Sequence, residues 1–193
     1  DSTIKGYCYI DYYAFGDCYN LTTLNLNTSD SIYYNAFYNS PVRILNVGAD
    51  VYSFPKFYDV ETVTFAEGIT YIPSGAFSGC SVLKIVNLPE SVIHIFDNAF
   101  NSCYSLKEIN ISDNIEYIGP YAFYNCSSLT EITIPEGVYE LGYGAFMECY
   151  SLETLTFNAR DCYIGSDAFY GCPVRTLNVG AGVNNLPNFR SVE

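Results

Sequence analysis

The sequence predicts a repeat solenoid: parallel strands stacked in register on the concave side, short helical turns and loops on the other, mainly β with little helix. Three observations predict it. The dipeptide Ala-Phe returns at Ala14-Phe15, Ala36-Phe37, Ala76-Phe77, Ala99-Phe100, Ala122-Phe123, Ala145-Phe146 and Ala168-Phe169, the last five copies 23 residues apart. A fixed period of this length makes each repeat one supersecondary unit that buries its apolar face only against its neighbours. A six-residue frame with apolar residues at its first, fourth and sixth places recurs with the same period. The chain is 49% hydrophobic and only 15% charged, which is too apolar for disorder.

Each unit opens with a strand. In Leu106-Lys107-Glu108-Ile109-Asn110-Ile111 the residues between the apolar places face outward. The same frame fits 21–26, 42–47, 60–65, 83–88, 129–134, 152–157 and 174–179, giving eight parallel strands and a sheet about 35 Å long at ~4.8 Å per step. A turn follows, often with Pro and Gly as in Ile134-Pro135-Glu136-Gly137-Val138, and then a second inward pair such as Ile115 and Ile118. Ala-Phe comes next as a small and a large core residue. Ser- and Asn-rich text such as 124–128 then suits a short helical turn or loop. Residues 42–61 and 174–193 are nearly identical and lie 132 apart, and in both a trimmed unit carries Phe57 or Phe189 where Ala-Phe is expected. The expected organisation is a single array over 1–193. With no polar capping unit at either end, it is expected to be part of a longer repeat protein.

Charge excludes whole classes of partner. A net charge of −13 with 8 basic residues gives no clustered cation for a phosphate backbone or an anionic lipid surface. No apolar run is long enough to span a membrane, so neither nucleic acid binding nor membrane insertion is expected.

The pattern read through Ile132-Thr133-Ile134-Pro135-Glu136-Gly137-Val138, Gly142, Ala145-Phe146, Cys149 and Leu152 resembles the BspA-like class of leucine-rich repeat. The likeness spans nearly the whole chain, with departures around residues 27–65. It implies a curved solenoid on secreted or surface-displayed proteins of anaerobic bacteria and parasitic protists. Adhesion to extracellular matrix or host-cell surface proteins comes with that implication, as does an extracellular or cell-surface location. It brings no catalytic residues, metal or cofactor.

The candidate constellations each have a competing structural reading. Cys18, Cys80, Cys103, Cys126, Cys149 and Cys172 lie three residues after the repeat Phe, and stacking should align five of them in one file. Side chains in such a file run parallel instead of converging on a metal, and their Cβ atoms stay farther apart than the ~3.8 Å a disulfide prefers, so a buried unpaired ladder is expected. Ser40 takes the same slot, while Cys8 and Cys162 share another register whose oxidation state the sequence leaves open. His94 occupies a slot filled by Tyr71, Tyr117 and Tyr163 and is expected to face solvent; no nucleophile and carboxylate accompany it.

On the strands, Asn25, Asn46, Thr64, Asn87, Asn110, Thr133, Thr156 and Asn178 form an amide and hydroxyl column. Beside it run Thr23, Ile44, Thr62, Ile85, Glu108, Glu131, Thr154 and Thr176, with Glu108 and Glu131 on adjacent strands. The columns are either a self-stabilising polar face or a ligand-binding strip made of Asn87, Glu108, Asn110, Glu131, Thr133, Thr154 and Thr156. The alternative site is aromatic. The chain has 20 Tyr and no Trp, and Tyr121, Tyr124, Tyr143 and Tyr170 flank Ala-Phe, where they serve either an interface or the shielding of turns. Sequons at Asn20, Asn27, Asn110 and Asn125 matter only if the host glycosylates. The expected function is non-enzymatic binding of a protein, less readily a glycan, with a structural spacer or self-assembling unit as the alternative.

Overall fold

The computed structural model describes residues 9–27, 31–49, 51 and 54–189. Among the described residues fifteen short strands fall into two files, alternating along the chain except that β4 and β5 follow each other in one file: β1 (Tyr9–Ile10), β2 (Thr23–Leu26), β3 (Ser31–Ile32), β4 (Ile44–Val47), β5 (Thr62–Phe65), β6 (Tyr71–Ile72), β7 (Ile85–Asn87), β8 (His94–Ile95), β9 (Glu108–Ile109), β10 (Tyr117–Ile118), β11 (Glu131–Ile134), β12 (Glu140–Leu141), β13 (Thr154–Phe157), β14 (Tyr163–Ile164) and β15 (Thr176–Val179). All eight expected strands are present, paired parallel and in register. They form two blocks, β2-β4-β5-β7-β9 and β11-β13-β15.

In the full units the second residue of the inward pair, such as Ile118, lies in a further short strand with the residue before it, which the sequence reading missed. The two-residue strands β6, β8, β10, β12 and β14 form their own parallel sheet, and β1 pairs with β3. Two residues are too few to display a period of two, so this ladder left no pattern to read. His94 does sit in the tyrosine slot, aligned with Tyr71 and Tyr117. It is half-buried instead of solvent-facing, because the Phe96 and Tyr117 rings lie 5.7 and 6.1 Å away.

Aromatic stacking holds the layers together. Phe77, Phe100, Phe123, Phe146 and Phe169 are fully buried, with successive ring centroids 5.7, 5.3, 4.9 and 5.2 Å apart and planes within 11°. Phe57 and Phe189 take the same slot in the trimmed units, 5.6 Å from Phe37 and 5.9 Å from Phe169, but tilted. Around this column Leu83, Leu106, Leu129 and Leu152 are wholly buried, each stabilising by roughly 1.5–3 kcal/mol.

The short helical turns expected around Ala-Phe are hydrogen-bonded turns; no helix occurs among the described residues. Left-handed residues are the reason. The residue before Ala has positive φ at Tyr13, Gly75, Asn98, Tyr121, Gly144 and Asp167, and so does the second residue after Phe at Asp17, Asn39, Gly79, Ser102, Asn125, Glu148 and Gly171. Two such residues bracketing a three-residue stretch stop a right-handed helix from propagating. They also turn Phe and its neighbours outward to bond the next layer: the N–H groups of Phe77, Phe100, Phe123 and Phe146 donate to Ala99, Ala122, Ala145 and Ala168 carbonyls at 2.7–2.8 Å.

The cysteine file is buried and unpaired. The thiols of Cys103, Cys126, Cys149 and Cys172 donate to the carbonyls of Phe77, Phe100, Phe123 and Phe146 at 3.0–3.3 Å, and Cys80 donates to Phe57 at 2.7 Å. Ser40 makes the equivalent bond to the Phe15 carbonyl, so the slot asks for a small donor and accepts either element. All described cysteines are free thiols, Cys162 among them; Cys8 lies outside the described residues.

Candidate functional site

The strand columns are where the sequence placed them, and most of their side chains face solvent. Asn87, Glu108, Asn110, Glu131 and Thr133 are exposed, Thr154 and Thr156 half-buried. Parallel register turns the amide and hydroxyl column into a hydrogen-bonded ladder in its two blocks. Asn46 Nδ2 donates to Asn25 Oδ1 at 2.7 Å, Asn87 Nδ2 to Thr64 Oγ1 at 3.1 Å, and Asn178 Nδ2 to Thr156 Oγ1 at 3.2 Å. These bonds hold the side chains upright on the sheet.

Between the two blocks the ladder is interrupted. β9 pairs with β7 but not with β11, so Glu108 and Glu131, expected on adjacent rungs, belong to separate sheets. Two carboxylates directly across a rung repel, and the sheet stops where the sequence would set them opposite each other. The layers remain continuous on the other file, where β8, β10 and β12 are paired, and in the core, where Phe100 and Phe123 stack. The result is a cleft of about 260 Å³ on the long-strand face. Asn110, Glu131, Thr133, Thr154 and Thr156 line it with Ile109, Ile111 and Ile132, and its accessible surface is chiefly polar. The structure therefore brings five of the seven candidate strand residues together. Asn87 and Glu108 stand outside the cleft on the neighbouring block.

Sequence reasoning gave no sign of this cleft. The signal available was the pair of glutamates, Glu108 and Glu131, at one register of adjacent strands. What the cleft can offer a ligand is a carboxylate, three hydroxyls and an amide, a set suited to binding and without a nucleophile and base in contact. Among the described residues no cluster of His, Cys, Asp and Glu could hold a metal ion.

The aromatic surface is assembled in part. Tyr121 meets Tyr124 at 5.7 Å and Tyr143 at 5.2 Å, both edge-on, and Tyr124 donates its hydroxyl to Glu148 Oε2 at 2.9 Å. That hydrogen bond to a carboxylate pushes the Tyr124 phenol up, as the bond to Tyr121 does for Tyr143. Tyr170 lies one layer on, its carbonyl accepting from the Glu148 N–H. Tyr121 itself has φ 56°, a conformation that costs a bulky residue ~1–2 kcal/mol. Gly144 fills the same slot one layer on, and a Cβ there would stand 3.0 Å from the Tyr121 ring, so glycine leaves room for it. Asn98 shows that an αL-tolerant polar residue serves the fold equally well at this slot. A strained tyrosine where asparagine would do points to use of the ring.

No helix among the described residues is long and apolar enough to cross a membrane. A BspA type leucine rich repeat region matches in six copies over residues 3–58 and 50–176. The chain is similar in fold to the leucine-rich repeat protein TpLRR of T. pallidum, with 21% identity and a TM-score of 0.56 over 74% of this chain and 75% of that one. A leucine rich cell surface protein of Faecalibacterium prausnitzii A2-165 is 22% identical over 92% of this chain and 59% of its own, with a TM-score of 0.44. The pneumococcal vaccine antigen PcpA is 16% identical over 88% and 55%, with a TM-score of 0.44. The chain thus spans less than two thirds of these last two proteins. No curated protein matches it. Repeat text, two-file parallel architecture and the six matched copies agree, and the chain belongs to the BspA-type leucine-rich repeat family.

Proposed function

We propose that this chain is a non-enzymatic protein-binding module of a secreted or cell-surface protein, and that it acts in adhesion to matrix or host-cell proteins. The observation that carries the reading is the long-strand face, where polar side chains are held upright in register and then part at Glu131 into a cleft lined chiefly by polar groups. Protein partners suit such a face because polar groups fixed in register set orientation and specificity. The cell-surface description of a protein similar to this chain supports the location. Replacing Glu108 and Glu131 by Lys is expected to weaken attachment to matrix proteins or intact cells by about tenfold or more. Unchanged attachment, with loss on replacing Tyr121 and Tyr124, moves the site to the aromatic side. Tyr121→Asn is the informative variant there: by analogy with Asn98, its melting curve should match the parent within ~0.5 kcal/mol, so lost binding reports the missing ring.

A second reading, a spacer or self-assembling unit, rests on the near-identity of residues 42–61 and 174–193, which lie 132 apart. Light scattering over a concentration series tests it, since a mass independent of concentration refutes assembly from copies of this chain.

A further inference from the structure

The turn side of the solenoid carries a second depression, at the first trimmed unit. In full units the Phe N–H bonds the next Ala carbonyl, and the left-handed residue two places on bonds the next layer as well. The unit around Phe57 has neither Ala-Phe nor left-handed residues at the equivalent places. Among the described residues no main-chain bond runs from Phe37 or Asn39 to the layer of Phe57, although both Phe15 N–H and Asp17 N–H reach across one layer earlier. The Lys56 N–H still donates to the Tyr34 carbonyl at 2.9 Å, but beyond that bond the layers part and leave a groove of about 460 Å³, within the roughly 300–1,000 Å³ of small-ligand sites.

Its lining has a definite chemistry. Tyr13, Tyr34, Tyr38 and Tyr58 contribute rings, all four more than half exposed. Tyr13 adopts φ 55°, the same strained slot as Tyr121, and its ring meets Tyr38 edge-on at 5.4 Å. Asn35 Oδ1 is buried in the wall without a donor, a costly condition that an incoming hydroxyl relieves. Lys56 is exposed and, like Lys107, pairs with no carboxylate among the described residues, whereas Arg43, Lys84, Arg160 and Arg175 do. Its ammonium makes only a long contact, 3.4 Å, to the Gly75 carbonyl.

We propose that this groove binds a carboxylated sugar residue of an acidic glycan. The C–H face of a pyranose ring lies against tyrosine, the sugar carboxylate meets Lys56, and a ring hydroxyl donates to Asn35 Oδ1. Asp59 at the rim accepts from the remaining hydroxyls. None of the residues lining the groove is in a strand, so it offers no edge to which a peptide could add as a further strand. The acidity of the whole chain is no obstacle at contact range, since exposed charges more than about 8 Å away are largely screened at physiological salt.

Titration of the protein with D-glucuronate, N-acetylneuraminate and D-glucose, followed by ligand-observed NMR, tests the proposal. Saturable binding of the two acids is expected at roughly millimolar Kd, with glucose at least ~10-fold weaker. Lys56→Gln should remove that preference, and Tyr58→Ala should weaken the acids by about tenfold; both residues are exposed, so melting is expected to stay unchanged. Glu131→Lys on the strand face should leave sugar binding intact, which separates this site from the protein-binding one. Glucose binding as well as glucuronate, an acid preference that survives Lys56→Gln, or no saturable binding of either acid would each overturn the assignment.

Discussion

Phe123→Ala is expected to cost about 3–5 kcal/mol, a large share of the roughly 5–15 kcal/mol that holds a domain folded. Phe123 is fully buried and stacks on two rings at once, Phe100 at 5.3 Å and Phe146 at 4.9 Å. Removing it leaves a cavity between layers and cuts two ring contacts worth about 0.5–1.5 kcal/mol each. The consequence is more than a lower midpoint. A solenoid is coupled only through nearest neighbours, so a weak central layer lets the flanking halves unfold separately. The same layer already lacks strand pairing between β9 and β11, which leaves the Phe column and the short-strand file to transmit cooperativity. Chemical denaturation followed by circular dichroism should show an earlier and broader, or two-step, transition. Tyr104→Ala, at a 45% exposed site in the preceding layer, is the control and should shift stability by no more than ~0.5 kcal/mol. Equal costs for the two variants would contradict the stacked-column account.

Alkaline pH is expected to destabilise the chain through its cysteine file. Burial pushes the Cys80 thiol up to about 12 and raises Cys103, Cys126 and Cys149 as well, against about 8.5 for a thiol in the unfolded chain. The folded state therefore holds these protons above pH 8.5 while the unfolded state releases them. The stabilisation is complete below that pH and falls as pH rises toward the folded values. Denaturation midpoints should be level up to about pH 8 and decline across pH 8.5–9.5, below the range where exposed phenols ionise. Because the thiolate is the reactive form, Cys80, Cys103, Cys126 and Cys149 should resist a thiol reagent at pH 7.5 until denaturant is added, as read by peptide mass spectrometry. Replacing Cys103, Cys126 and Cys149 together by Ser should flatten the pH dependence, since Ser40 already fills this slot with a hydroxyl. A decline of equal slope in that variant would place the effect elsewhere.

The repeat residues and the site residues were legible to different degrees. The places of Leu129, Ile132, Ile134, Phe123 and Cys126 followed from period alone, because in-register stacking converts equal spacing into contact. His94 was assigned to the right slot but the wrong environment, since Phe96 does not recur at that place in the other units and its ring could be located only in three dimensions. Asn110, Glu131 and Thr133 were named as outward-facing, yet their convergence on a cleft depends on whether one rung pairs. That is decided by repulsion between strands together with the packing behind them, and no single repeat encodes it.

The sequence by itself determined the array: its period, the eight long strands, the stacked Phe and Cys files, and the net charge of −13. Those properties depend on one residue type recurring in one register. Only the tertiary structure decided where the layers separate, at Glu131 on the strand face and at Phe57 on the turn face. Separation depends on bonds between unlike units, on like charges brought opposite each other in one place and missing left-handed turns in the other. Both candidate sites lie where the repetition fails.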